Sequence, residues 1–447
     1  MAVITIKDQA ALTAALANAR GGETFALAAG TYSEVALKSR TFATPITITS
    51  ADATRPATVQ HIALSGSSGV NFTNIDIGSA LAAGEKIGSD TAAGIISNSS
   101  KITFDHVHVH GSMDNNASND RYGLSFRGSS AIKITNSSFE QLTRAALFGT
   151  SNDILVQNNS FTHLRSDGLD FAAVQNVTVD GNYFHDYSPI AGDHPDAIQF
   201  WTSGTKVSSS DITITNNQIQ FGGAQGAQGI FLNDEVGKLP YKRVTIDNNM
   251  VYVVAGYNGI YVANGEDVAV TNNSVLSNPS DRYKLRIDLG TIKRGTVANN
   301  VADILLTGSL KGVGVADNLW VQDDPTKLAL FPNLSNGAAT TYEDLVIGGK
   351  GYQPTTGIGV TPSAPPPVST PTPTPTPTPV PVPVPTPASG LLLDVAFANG
   401  AATDTSGYSS KINPINGADI VGSGLNAAYK LGGNNYFEVA KAGATQL

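Results

Sequence analysis

The chain contains no cysteine, so neither a disulfide scaffold nor cysteine-based catalysis is open to it. Charge is sparse. Only 14% of its 447 residues are Asp, Glu, Lys or Arg, and the acidic ones outnumber the basic ones 36 to 27. A net charge of −9 argues against nucleic acid as a general partner. Long apolar runs are also missing, and no stretch approaches the ~20 residues that span a bilayer. The first residues show no basic segment followed by an apolar one. Export is therefore expected by another route, or with the leader already removed. Glycine is plentiful: 45 residues, which suits a turn-rich β architecture.

Short phrases recur between Val70 and Leu319: VNFTN, ITFDH, IKITN, ILVQN, VTVDG, ITITN, VTIDN, VAVTN, GTVAN and GVGVA. Each opens with alternating apolar residues, the period of a half-buried strand, and most close at Asn, Asp or Gly, where chains turn. Repeats ending at Asn136, Asn158 and Gly181 follow one another at 22 and 23 residues. Recurrence at this period predicts a solenoid whose coils bury their apolar faces only by stacking. The fold expected is all-β, a right-handed parallel β-helix. Asn pairs such as Asn158-Asn159 and Asn216-Asn217 read as turn ladders that satisfy backbone groups.

A second phrase, x-small-apolar-x-apolar, recurs as YGLSF, AALFG, DGLDF, DAIQF, QGIFL, NGIYV and YKLRI. Alternation along a strand puts its third and fifth residues inside and its fourth outside. The fourth residues form an expected outer column of Ser125, Phe148, Asp170, Gln199, Phe231, Tyr261 and Arg286. The first residues form another: Tyr122, Ala145, Asp167, Asp196, Gln228, Asn258 and Tyr283. Neighbours in a column lie about 4.8 Å apart. Polar and aromatic residues concentrated there mark this face as the candidate site.

Four segments are expected. Residues 1–45 form a cap, with KDQAALTAALANAR helical and closed by Gly21 and Gly22. Residues 46–360 form the β-helix catalytic domain. Residues 361–389, nearly all Pro with Thr, Val and Ser, form an extended polyproline linker. Residues 390–447 begin a second β domain, too short for a sandwich and so expected to be truncated.

The opening ITIKDQAALTAALANARGGETFALAAGTY, followed by PITITSA, resembles that of the chondroitinase B and alginate lyase group of β-helix polysaccharide lyases. That resemblance implies cleavage of a uronate-containing polysaccharide, alginate-like, by β-elimination. In that group a Lys and an Arg act beside a calcium held by Asn and Glu, a full set not found here. LLLDVAFANGAATDTSGYSS…GNNYFEV resembles the start of a laminin-G or concanavalin-like jelly roll, often a carbohydrate-binding module. A Pro/Thr linker before such a module resembles the layout of secreted polysaccharide-degrading enzymes, which implies an extracellular protein. Asp193-His194-Pro195-Asp196 is similar to the Asp-Pro-His-Asp/Glu tetrad of mannuronan C5-epimerases, with its middle residues reversed. Those secreted epimerases can lack an N-terminal signal and leave through C-terminal repeats.

Insertions on a solenoid become loops on one face, where binding sites usually lie. The longest are HVHVHGSMDNNASNDRY, HDYSPIAGDHPDAIQFWTSGTK and FGGAQGAQGIFLNDEVGKLPYKR, which would wall a groove across Asp170 and Gln199. Abstracting a uronate C5 proton needs a base within about 3 Å and neutralisation of the adjacent carboxylate. His194 is the expected base, with Lys238 and Tyr187 as competitors. Arg286, Lys238, Gln199, a protonated Asp or a bound Ca²⁺ can neutralise the carboxylate. Asp167 and Asp196 stack in one column, so one should be pushed towards its protonated form. Gln199, Trp201, Tyr187, Phe231, Tyr261, Asn258 and Arg243 are expected substrate contacts, and Asp193, Asp234 and Glu235 candidate Ca²⁺ ligands. Eight of the 27 basic residues fall between Lys238 and Arg294, which favours an anionic glycan. A monomer is favoured.

Three other readings stand beside the lyase. A C5-epimerase shares the same proton abstraction. An inverting hydrolase would use Asp167, Asp170 and Asp196, whose carboxyls must then stand about 6.5–9.5 Å apart. A non-catalytic glycan-binding surface protein would show repetitive Thr- or Asn-dominated columns instead. His106, His108 and His110 alternate on one strand and read as inert more readily than as metal ligands.

Overall fold

A computed structural model describes residues 2–354 apart from 222–226, 254–255, 282, 322–323, 336–341 and 348, with strand segments between 395 and 440. Two compact units are present, Met1–Val368 and Ser369–Leu447. In the second, six short strands pair antiparallel in three two-stranded sheets. The Pro/Thr-rich stretch lies outside the described residues.

The first unit is the expected solenoid. Its strands pair in parallel in sheets of 21 and 12 strands. A typical coil runs Asp196–Trp201, Ser210–Thr215 and Gln218–Phe221, and each strand pairs with its counterparts in the coils before and after. The core is a set of stacked columns. Phe126, Phe148, Phe171 and Phe200 stack at centroid distances of 4.8, 5.0 and 4.5 Å. Phe139, Phe161 and Phe184 form a second column at 4.9 and 4.5 Å.

The turns explain the repeated phrase endings. Asn74, His106, Asn136, Asn158, Gly181, Asn216, Asn248, Asn272, Asn299 and Asp317 all have φ between +50° and +62°, where Asn, Asp and Gly are tolerated best. In the last coil Asp317, not Ala316, takes the turn. The next residue in later coils is a buried asparagine. Asn159, Asn182, Asn217, Asn249, Asn273, Asn300 and Asn318 form a ladder in which each Nδ2 donates to the next Oδ1 at 2.8–3.0 Å. Such ladders satisfy turn groups that burial would otherwise strand.

The N-terminal end is closed by the helix Gln9–Asn18, capped by Asp8 accepting from Ala11 N at 2.8 Å. Leu12 and Leu16 face the core. Arg40 donates to the carbonyls of Leu16, Ala17 and Ala19, satisfying the helix's C-terminal end.

Candidate active site

The x-small-apolar-x-apolar strands bend after their first residue. A Cβ added to Gly168 would lie 2.8 Å from Phe184 and 2.6 Å from the Tyr187 hydroxyl, so position two faces the interior. Position three, Leu169, is buried as well. Two inward residues in succession put positions one and four both outside, on neighbouring columns. Position two is therefore small throughout: Gly123, Ala145, Gly168, Ala197, Gly229 and Gly259. A Cβ on Gly123 would stand 2.3 Å from the Ala145 carbonyl, and one on Gly229 2.3 Å from the Gly259 carbonyl.

This bend corrects the column alignment at two coils. Tyr122 pairs with Arg144 and Phe126 with Phe148. Arg144 therefore replaces Ala145 in the first column, while Phe148 lies in the core and Leu147 takes the outer position. Ala145 and Ala146 are both small, so either fitted position two by composition. Asn258 pairs with Arg286 and Tyr261 with Asp288, across a register shift. Arg286 accordingly belongs to the first column in place of Tyr283, and Asp288 to the fourth.

The corrected first column is a connected polar chain. Arg144 Nη2 lies 2.8 Å from Asp167 Oδ2 and Nη1 2.6 Å from Asp170 Oδ2. Asp196 N donates to Asp167 Oδ1 at 3.0 Å. Gln228 Nε2 donates to Asp196 Oδ1 at 2.9 Å and contacts His194 Nε2 at 3.0 Å. Asn258 donates to Gln228 Oε1, and Arg286 Nε donates to Asn258 Oδ1 at 3.1 Å. Gln199, in the fourth column, donates to Asp196 Oδ2 at 2.6 Å.

Burial divides this chain sharply. Asp167, Asp170 and Asp196 are at most 1% exposed. Side-chain exposure is 56% for His194 and 26% for Arg144. Burial pushes the Asp170 carboxyl up to about 8, with the Asp167 charge adding to it against Arg144. Burial, and then Asp167, holds Asp196 well above the carboxylate range. Asp167 is raised too, again by burial, although Arg144 opposes it. Asp170 Oδ1 is buried without a hydrogen-bond partner.

Other expected site residues lie elsewhere. Tyr187 is 4% exposed with its hydroxyl beneath Gly168, so it supports the strand from inside rather than facing a substrate. Lys238 is exposed in the loop after Asp234. Arg243 lies in the strand Tyr241–Asp247, at a φ of +53°, and pairs with Asp211, Nη2 to Oδ2 at 2.7 Å. Asp193 is held by Arg165 at 2.8 Å. Asp234 and Glu235 accept from Thr202 and organise their own loop. Asp193 is thus apart from Asp234 and Glu235, and among the described residues no three metal-ligating side chains are grouped to hold a cation. Phe231 and Tyr261 stack at 4.7 Å on the outer face, half-buried, with Trp201 on the same face. Arg144 was absent from the expected set. RAALF carried the signal, once its second residue is aligned with Gly123 and Gly168.

The family described as right handed beta helix region matches residues 60–193 and 95–275. No curated protein matches the chain. Similar solved structures include the Dettilon tailspike protein, at 12% identity over 71% of this chain and 68% of that one, TM-score 0.45. An alginate lyase from Paenibacillus sp. str. FPU-7 matches at 13% identity over 70% and 97%, TM-score 0.33. A surface adhesin of Streptococcus pneumoniae matches at 14% over 69% and 84%, TM-score 0.36. Among the described residues no helix is long and apolar enough to cross a membrane. Continuous parallel pairing from coil to coil and the family match together make this chain an all-β, right-handed parallel β-helix.

Proposed function

We propose that this face cleaves an acidic, uronate-containing polysaccharide by β-elimination. The observation that supports it is the contrast in exposure: the imidazole of His194 and the guanidinium of Arg144 meet solvent while the three carboxyls are recessed behind them. An incoming glycan therefore meets a cation and a base first. Gln228 Nε2 lies 3.0 Å from His194 Nε2, and the substrate C5–H takes the place of this contact, with Nε2 as the accepting nitrogen. Arg144 neutralises the uronate carboxylate as the carbanion forms. The C5 proton passes to His194, the C4–O bond breaks, and a C4–C5 double bond remains. The departing O4 takes its proton from water; Tyr122, three coils from Asp196 in the first column, is too far from His194 to supply it.

Asp170 favours a second reading. A buried carboxyl raised to about 8 with one unpartnered oxygen has the properties of a general acid for hydrolysis. The test is ultraviolet absorbance of the unsaturated uronate during incubation with alginate, pectate, glucuronan and glycosaminoglycans. A rise that His194→Ala abolishes, with the fold retained, supports elimination. New reducing ends without that absorbance would transfer the reading to hydrolysis. Proton exchange at C5 without cleavage would transfer it to epimerisation.

A further inference from the structure

Arg286 was expected at the reaction centre, yet the ladder puts it elsewhere. It follows Asp196, Gln228 and Asn258 in the first column, three coils from Asp196 or about 14 Å at the usual strand spacing. Its surroundings form a patch of their own. The guanidinium carbon lies 4.9 Å from the Tyr257 ring centroid. The Tyr257 and Tyr283 rings stand 6.3 Å apart, edge to face, and are 42% and 47% exposed. Phe231 and Tyr261 stack beside them on the fourth column. Among the described residues Tyr257 and Tyr283 are the exposed aromatics, and both stand near one cation.

Arg286 Nε is committed to Asn258 and to Asp288, the latter at 3.2 Å. Those contacts use Nε and hold the guanidinium beside Tyr257, and the two Nη groups carry the paired donors of a fork that matches a carboxylate. Aromatic rings beside a fixed fork offer an apolar face for a sugar ring and a paired donor for its acid group.

We infer that Tyr257, Tyr283 and Arg286 form a distal subsite that binds a uronate unit of the same glycan, three coils towards the C-terminus from His194. The inference rests on the uronate reading of the face, and adds that the enzyme grips a long chain along the solenoid axis. Arg286 is then a binding residue, not a catalytic one.

The test separates the subsite from the chemistry. Binding of alginate and polygalacturonate, each beside its carboxyl-reduced neutral form, is measured by calorimetry on the His194→Ala protein, with and without Arg286→Gln or Tyr257→Ala. The expected result is preference for the charged polymer and an affinity loss of about tenfold with either added substitution. In the wild-type background, Arg286→Gln should raise KM on the polymer about tenfold with kcat little changed, and flatten the rise of kcat/KM with oligosaccharide length. Unchanged polymer affinity, or a fall in kcat alone, would overturn the subsite. Charge-selective binding without turnover by the wild type would uphold the subsite while the proposed chemistry failed.

Discussion

Replacing Asp170 with asparagine should stabilise the protein near neutrality, by an amount that can be worked out. The folded carboxyl titrates at about 8 against an ordinary value of 3.8, because burial disfavours its charge. Between those limits the folded state keeps a proton that the unfolded state has lost. Unfolding therefore releases a proton, and stability falls by about 1.36 kcal/mol for each pH unit. This contribution is complete below 3.8 and is lost as pH rises through about 8. From pH 5 to pH 7 the wild type should lose about 3 kcal/mol through this one group. An asparagine cannot ionise, and its amide oxygen can still accept from Arg144. Asp170→Asn should therefore gain about 3 kcal/mol on the wild type between pH 5 and pH 7. Denaturant unfolding at several pH values, followed by fluorescence of the two tryptophans, measures this if the slope m stays constant. Asp167 and Asp196, both raised, will leave some slope in the variant. Parallel pH profiles for the two proteins would refute the argument.

Two further tests address the scaffold. Asn217→Ala removes a ladder residue that bonds Asn182, Asn249 and the Val179 carbonyl. The buried groups left unpaired should cost on the order of 4 kcal/mol in denaturant unfolding, and a loss under 1 kcal/mol would show that the turns do not depend on the ladder. His108 lies 3.6 Å from Asp76 and 3.5 Å from Glu140 on the 12-stranded sheet, beside His110. Burial pulls its pKa down, but the two carboxylates outweigh burial and raise it to about 9. Its stabilisation, up to about 3 kcal/mol, is complete below pH 6.5 and lost as pH rises through 9. His108→Gln should flatten stability between pH 7 and pH 9.5, and an unaltered profile would show that the ion pairs contribute nothing.

The fold was legible because alternation and turn chemistry coincide: VTVDG and ITITN each state a strand and a left-handed turn within five residues. The inward third and fifth positions and the Asn ladder were legible for the same reason. Fine register was not, where the marks were degenerate. AALFG offers two alanines for one small position, and YKLRI spans a shift in pairing. Both slips touched an arginine: Arg144 was left out, and Arg286 was set in the fourth column instead of the first. Tyr187 looked like a loop residue because its burial beneath Gly168 is a contact across the interior of its coil, which local sequence does not record. Asp193, Asp234 and Glu235 looked available for a cation because their partners, Arg165 and Thr202, lie about 30 residues away along the chain.

The bend that puts positions one and four outside gives each coil a two-letter word on the outer face. Along the solenoid these words read Tyr/Ser, Arg/Leu, Asp/Asp, Asp/Gln, Gln/Phe, Asn/Tyr and Arg/Asp. The letters between them are core residues of nearly constant type. Rewriting a word leaves those core letters in place but breaks its hydrogen bonds to the words on either side. Moving Asp/Asp or Arg/Leu by one coil together with its bonded neighbours would shift the proposed centre along the axis in steps of one strand spacing.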